Sequence, residues 1–239
     1  MMDSRPQKFK PGLLIIDMQN DFCPPDGSLA VADGRSIIPL IKTLLNLPAF
    51  VTRVATKDFH PSNHISFASN HAAPDNVPFT SFATITNPYN SNESYRTRLW
   101  PDHCVQGTVG ADLVDGLDPA CSKIDAVIEK GVDSRVEMYS AFYDPFTSPR
   151  ISDSGLSAFL KSSGVNWVYV VGLALDYCVR ASALDARKEG FEVVLIRDGT
   201  KAVDGSEENV LKVEGELRQA GIRVVSMASQ EVQWLSTSH

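Results

Sequence analysis

At 239 residues the chain can bury a substantial core, whether as one large α/β domain or two smaller ones. Its 43% hydrophobic and 21% charged residues are those of a water-soluble globular protein, and a net charge of -7 argues against nucleic acid or an anionic membrane surface as the main partner. No apolar run approaches ~18 residues, and the opening MMDSRPQKFK lacks the apolar core of a signal peptide, so an intracellular, cytoplasmic protein is expected.

The first element is GLLIID, residues 12–17, a short apolar run that starts after Pro11 and ends in an acid, as a buried strand does. GRSIIPLIKTLLNLP, 34–48, spaces its apolar residues helically and stops at Pro48. FVTRVATKDFHP reads as a second strand, and DAVIEKG, 125–131, as a third. SDSGLSAFLKSSG is a capped helix closed by Gly164, followed by the strand NWVYVVGL. DYCVRASALDARKEG is the next helix, with Asp176 as its expected cap. The strand FEVVLIRDGT, the amphipathic helix SEENVLKVEGELRQAG and a last strand IRVVSM complete the order. Strands alternating with helices predict a three-layer α/β/α fold around a central, mainly parallel six-stranded sheet.

One stretch breaks this rhythm. From Pro61 to about Gly110 the chain is rich in Asn, Ser, Pro and Thr with weak periodicity, and a stretch that long in a compact domain is usually functional or disordered. Its prolines and aromatics, among them Pro74, Phe79, Phe82 and Tyr95, favour an ordered insertion within a single domain spanning 1–239. The four cysteines, Cys23, Cys104, Cys121 and Cys178, show no C-x-x-C spacing, so free thiols are expected and a structural zinc cluster is not.

Open parallel sheets bind ligands beyond the carboxyl ends of their strands. Asp17, Lys130 and Cys178 each follow such an end. Individually they could be a turn acid, a solvated strand end and a packed thiol; together they make a workable amide hydrolase. The lysine would favour the thiolate, the carboxylate would carry the thiol proton, and a first-turn position would add the helix dipole. These cationic influences predict a Cys178 pKa below that of a free thiol. No G-x-S-x-G elbow offers a serine alternative. In KDFHP, Asp58 and His60 lie two residues apart, on one face of an extended segment, as a metal pair requires. A third ligand is wanted from His64, His71 or His103, and LWPDHCV, with its tryptophan beside His103, suits a planar-ligand pocket best.

LIIDMQNDF, DFHPSNHISFA, LWPDHCVQGT, EKGVDSRVEMYSAF and VGLALDYCVRASALDA together resemble the nicotinamidases of the isochorismatase-like cysteine hydrolase superfamily, over nearly the whole chain. The resemblance implies Cys178 as nucleophile with Lys130 and Asp17 as partners, and Asp58, His60 and His103 as ligands of one divalent metal. Zinc comes first, with iron and manganese also suited to two histidines and a carboxylate. It further implies an oxyanion hole from the N–H groups of Ala174 and Cys178, a cis peptide between Leu173 and Ala174, and a pyridine ring held among Phe22, Trp100 and Tyr139. The expected activity is hydrolysis of nicotinamide to nicotinate and ammonia, in NAD salvage. Other readings are a related carboxamide hydrolase acting on pyrazinamide-like or non-pyridine amides, an inactive scaffold, or a redox thiol protein. The metal residues disfavour a non-pyridine substrate, the intact triad disfavours the scaffold, and no resolving cysteine lies near Cys178 in sequence. A homo-oligomer is compatible with all of them.

Overall fold

A computed structural model describes residues 5–117 and 123–237; Cys121 lies outside them. The central sheet contains β1 (Pro11–Ile16), β2 (Thr52–Asp58), β5 (Ala126–Lys130), β6 (Trp167–Leu173), β7 (Glu192–Lys201) and β8 (Arg223–Val225). Its order is β5-β2-β1-β6-β7-β8 and every pairing is parallel. This is the expected six-stranded sheet.

The central strands are apolar throughout because both of their faces are covered. Leu13 and Ile15 of β1, Tyr169 and Val171 of β6, and Val194 and Ile196 of β7 share one core with α1 (Ile38–Leu45) and the C-terminal α5 (Gln230–Gln233). The intervening residues Leu14 and Ile16, Val168 and Val170, and Val193 and Leu195 share the other. Packed on that second face are α2 (Leu156–Ser162), α3 (Arg180–Lys188) and α4 (Glu207–Gln219). The two-residue alternation of a strand thus divides each run between two cores, and each fully buried Leu or Ile contributes about 2 kcal/mol of transfer free energy.

Two helix starts differ from expectation. In α2 the acceptors of the free N–H groups sit just upstream: Asp153 Oδ1 accepts from Gly155 N at 2.9 Å and Ser154 Oγ from Leu156 N at 3.2 Å. Ahead of α3, a π-turn spans Leu175–Val179, with Ala174 at its N-cap position. Asp176 therefore lies inside the first turn and does not cap it. The insertion contains an antiparallel hairpin of β3 (Phe82–Asn87) and β4 (Asn90–Arg98), separate from the main sheet. Phe82 lies on its outer face while the polar Asn87 and Thr97 are buried, which hid the alternation. The one-turn α5 is too short to show periodicity.

Candidate active site

Strand register assembles the site. β2 and β5 pair with Asp58 opposite Lys130 at their carboxyl ends. β1 and β6 pair Ile16 with Gly172, so Asp17 emerges one residue beyond this pair, beside the turn that carries Cys178. Gly172 is required here: at φ 113° it lies so close to the Ile16 backbone that a Cβ would collide with it.

Lys130 is 1% exposed, and its Nζ is the hub. It lies 2.5 Å from Asp58 Oδ1, 3.0 Å from Asp17 Oδ2, 3.4 Å from Cys178 Sγ and 3.3 Å from the Met138 carbonyl. Thr56 Oγ1 donates to Asp17 Oδ1 at 2.5 Å, leaving the other carboxylate oxygen to the lysine and the thiol. Burial opposes charge on Lys130, but Asp17 and Asp58 outweigh it and hold its pKa well above that of an ordinary lysine. Asp58 is held well below the usual carboxylate range, because Lys130 and then His60 override burial. Asp17 moves up: burial dominates, Lys130 opposes it, and the nearby Asp58 adds to it.

Cys178 overturns the thiolate expectation. Burial pushes its thiol well above the ordinary value; Lys130 works against this, but Asp17 and Asp58 reinforce it. The lysine's single charge is already shared by two carboxylates, so little remains to stabilise a third anion. The resting group is a thiol beside an elevated carboxyl group, an arrangement suited to passing one proton between them.

On the other side of Asp58, donor atoms of Asp58, His60 and His103 lie within 4.8 Å of one another, and all three residues are buried. His60 Nδ1 donates to the Gly131 carbonyl at 2.8 Å, turning Nε2 inward; that buried nitrogen has no hydrogen-bond partner among the described residues and sits 3.7 Å from Asp58 Oδ2. Gly131, at φ 65°, leaves room for the ring, where a Cβ would collide with it. His103 Nδ1 is fixed by the Pro101 carbonyl at 2.7 Å. Burial, and then His60, lowers the His103 pKa to about 4. The His60 pKa is raised, Asp58 outweighing burial. The field that draws a proton to His60 would also draw a metal cation, so the residues fit a divalent ion. His64 and His71 stay outside this group. His64 uses both ring nitrogens, on Ser66 Oγ at 2.8 Å and the Val136 carbonyl at 3.0 Å, and His71 Nε2 donates to the Ile65 carbonyl at 2.7 Å.

The thiol opens onto a narrow cavity of about 30 Å³ whose lining includes Phe22, Trp100, Tyr139, Ala174 and Cys178 together with Asp58 and His103. The Leu173–Ala174 peptide is cis, as the resemblance implied. Trp100 Nε1 donates to Tyr139 Oη at 3.0 Å, which locks the two rings as a wall. A wider groove lies elsewhere, around Tyr143, Asp144 and Arg150, but its lining includes no cysteine or histidine. Chemistry, not size, selects the narrow cavity.

Several contributors escaped the sequence reading. Gln19 is fully buried and clasps the Asp58 backbone, its Oε1 accepting from Asp58 N and its Nε2 donating to Asp58 O, both at 2.8 Å. Thr56 orients Asp17, and Leu29, Tyr177 and Val203 complete the cavity lining. Gln19 and Tyr177 stand within the DMQNDF and DYCV segments, but nothing in the sequence marked Val203.

The isochorismatase domain family matches residues 11–229, and the chain belongs to that family. Within it, relatives at 34–42% identity are nicotinamidases, one of them also a pyrazinamidase. The nicotinamidase of Acinetobacter baylyi is 42% identical over 80% of this chain and 81% of its own length. The crystal structure of the yeast nicotinamidase bound to the inhibitor nicotinaldehyde superposes with a TM-score of 0.84 at 35% identity, covering 90% of this chain and 99% of the yeast one. The Pyrococcus horikoshii pyrazinamidase in complex with zinc gives a TM-score of 0.68 at 33% identity, over 91% and 99% of the two chains. Among the described residues, no helix is long and apolar enough to cross a membrane.

Proposed function

We propose that the protein is a nicotinamidase, an amidohydrolase that converts nicotinamide to nicotinate and ammonia and serves NAD salvage. The observation that carries this reading is the Lys130 amine, which touches Asp17, Asp58 and Cys178 at once in a cavity walled by aromatic rings. Similarity to nicotinamidases along most of the chain supports the choice of amide.

In the first half-reaction Cys178 Sγ attacks the carboxamide carbon while the Asp17 carboxylate takes the thiol proton. The oxyanion is held by the N–H groups of Ala174 and Cys178, both on the cavity wall. As the carbon–nitrogen bond breaks, Asp17 returns the proton to the departing ammonia, leaving a nicotinoyl thioester on Cys178. Water then attacks the thioester carbon, and its proton passes by way of Asp17 to the thiolate as nicotinate is released. Lys130 stays protonated throughout and keeps Asp17 aimed at the sulfur. Phe22, Trp100 and Tyr139 bound the pyridine ring. Asp58, His60 and His103 would hold a divalent metal, zinc first among candidates, which supplies a Lewis-acid site for the ring nitrogen.

The test is ammonia release from nicotinamide by the metal-replete protein and by Cys178→Ala. Release by the wild type alone supports the reading; no release from nicotinamide by the wild type overturns it.

A further inference from the structure

Asp176 has no part in the chemistry above, yet its carboxylate accepts three hydrogen bonds beside the nucleophile. It stands two residues before Cys178 on the same π-turn. Its Oδ1 accepts from Val203 N at 2.9 Å, and its Oδ2 from Asp204 N at 3.0 Å and Asn209 Nδ2 at 3.3 Å. A first-turn acid is favoured by the helix dipole alone, but the dipole does not require three donors from another element. Val203 and Asp204 belong to the segment that joins β7 to α4, and Asn209 to the first turn of α4. That segment is itself a compact unit: Asn209 Nδ2 also donates to the Asp204 carbonyl at 2.8 Å, Asp204 Oδ1 accepts from Ser206 N at 3.0 Å, and Ser206 Oγ caps α4 through Asn209 N at 3.3 Å.

The consequence falls on Val203. Its side chain lines the catalytic cavity, yet the residue is 37% exposed, an apolar group at the mouth with one side toward solvent. Ala202 before it is buried, whereas Asp204 and Gly205 after it are exposed, so the carboxylate of Asp176 is what ties the outer part of the segment to the site.

We propose that Asp176 is a positioning residue that sets the width of the substrate pocket: it latches the 203–209 segment to the nucleophile's own turn and presses Val203 against the bound ring. This rests on the nicotinamidase reading for the identity of the ring. The latch makes the distance from Cys178 to the outer wall a property of one turn, so the pocket favours a flat six-membered ring and disfavours one with a substituent directed at Val203. Loss of the latch weakens the grip on the ring in ground and transition states alike, which raises KM and leaves kcat.

Amide hydrogen exchange and steady-state kinetics together test the latch. In Asp176→Ala, exchange at the Val203 and Asp204 amides should rise roughly tenfold or more, while amides of β6 keep wild-type protection. KM for nicotinamide should rise roughly tenfold with kcat within about twofold, and the preference for nicotinamide over a ring-methylated nicotinamide should shrink. Asp176→Asn, which keeps one acceptor oxygen, should fall between and serves if the alanine variant does not fold. Val203→Ala should reproduce the KM rise without faster exchange at Asp204. Unchanged exchange at Val203 and Asp204, a fall in kcat at constant KM, or a wild-type KM in Val203→Ala would each overturn the proposal. If the wild type does not hydrolyse nicotinamide, the functional reading fails, and the exchange comparison alone then decides the latch.

Discussion

Two clusters meet at Asp58 and differ in how they balance charge. On one side Lys130, Asp17 and Cys178 form a set whose only cation is internal, an ammonium group shared by two carboxylates and a thiol. On the other side His60 and His103 bring imidazole rings, and a buried nitrogen, His60 Nε2, has no hydrogen-bond partner among the described residues. The first cluster carries its cation within the fold; the second has the donor set to take one from outside. Asp58 serves both, and this explains why it is held so firmly ionised. Removing a member of the first cluster should disable chemistry or folding outright, whereas disturbing the second should change affinity and selectivity.

The largest effect is expected within the lysine cluster. Cys178→Ala should lower kcat by a factor on the order of 10⁴ or more with an unchanged melting temperature, because alanine fits a first-turn position. Cys104→Ser, on the histidine side, should keep activity within about tenfold despite its place beside His103. Activity in the first variant and a dead second one would assign the nucleophile wrongly and dissolve the contrast between the clusters.

Lys130→Met comes next. It leaves two buried carboxylates without their cation, a loss of about 3–5 kcal/mol for a broken buried pair, readable as a lower denaturant midpoint. The same variant sharpens the account of the thiol. In the wild type without added metal, the rate of alkylation should rise with pH with a midpoint above about 8.5, the free-thiol value, because burial and Asp17 outweigh Lys130. Removing the lysine should push it higher still. A wild-type midpoint below the free-thiol value would mean that the cation and helix dipole win after all.

On the histidine side, His103→Ala should lower kcat/KM for nicotinamide about a hundredfold, in line with losses of oriented binding. Benzamide, which lacks the ring nitrogen, should be a poor wild-type substrate and lose far less, so the gap between the two amides narrows. Equal losses for both would remove the ring nitrogen from this cluster's role. Removing metal with a chelator should likewise lower the melting temperature of the wild type more than that of His60→Ala.

The smallest effect concerns His64, whose ring stacks on His60 at 4.0 Å. Burial, and then His60, lowers its pKa to about 2, so below the unfolded value of about 6.5 the unfolded chain binds a proton that the folded chain refuses. The contribution of His64 is full above that value and is lost as pH falls, by up to about 1.4 kcal/mol per pH unit. The metal-free stability of His64→Gln should therefore fall less steeply between about pH 6.5 and 5, because the unfolded imidazole is half charged at about 6.5 and almost fully charged at the lower end. Parallel curves for the two proteins would show that His64 is not the titrating group.

The local sequence was enough to determine the layering and the chemical cast of this protein. A short, β-branched apolar run such as WVYVVGL, set between helical patterns, reads as a strand covered on both faces, and an acid, a lysine or a cysteine just past such a run then falls at the carboxyl edge of the sheet. That reasoning found Asp17, Lys130 and Cys178, and the two-residue spacing found Asp58 and His60. Only the tertiary structure decided what depends on groups remote in the chain. The register that sets Asp58 opposite Lys130, the Gln19 clasp on the Asp58 backbone and the docking of the 203–209 segment on Asp176 each join residues from separate elements. The direction of the Cys178 shift is of the same kind. Sequence shows which charges stand near a thiol, but desolvation and the sharing of one lysine by three acidic groups arise only when the chain closes around them.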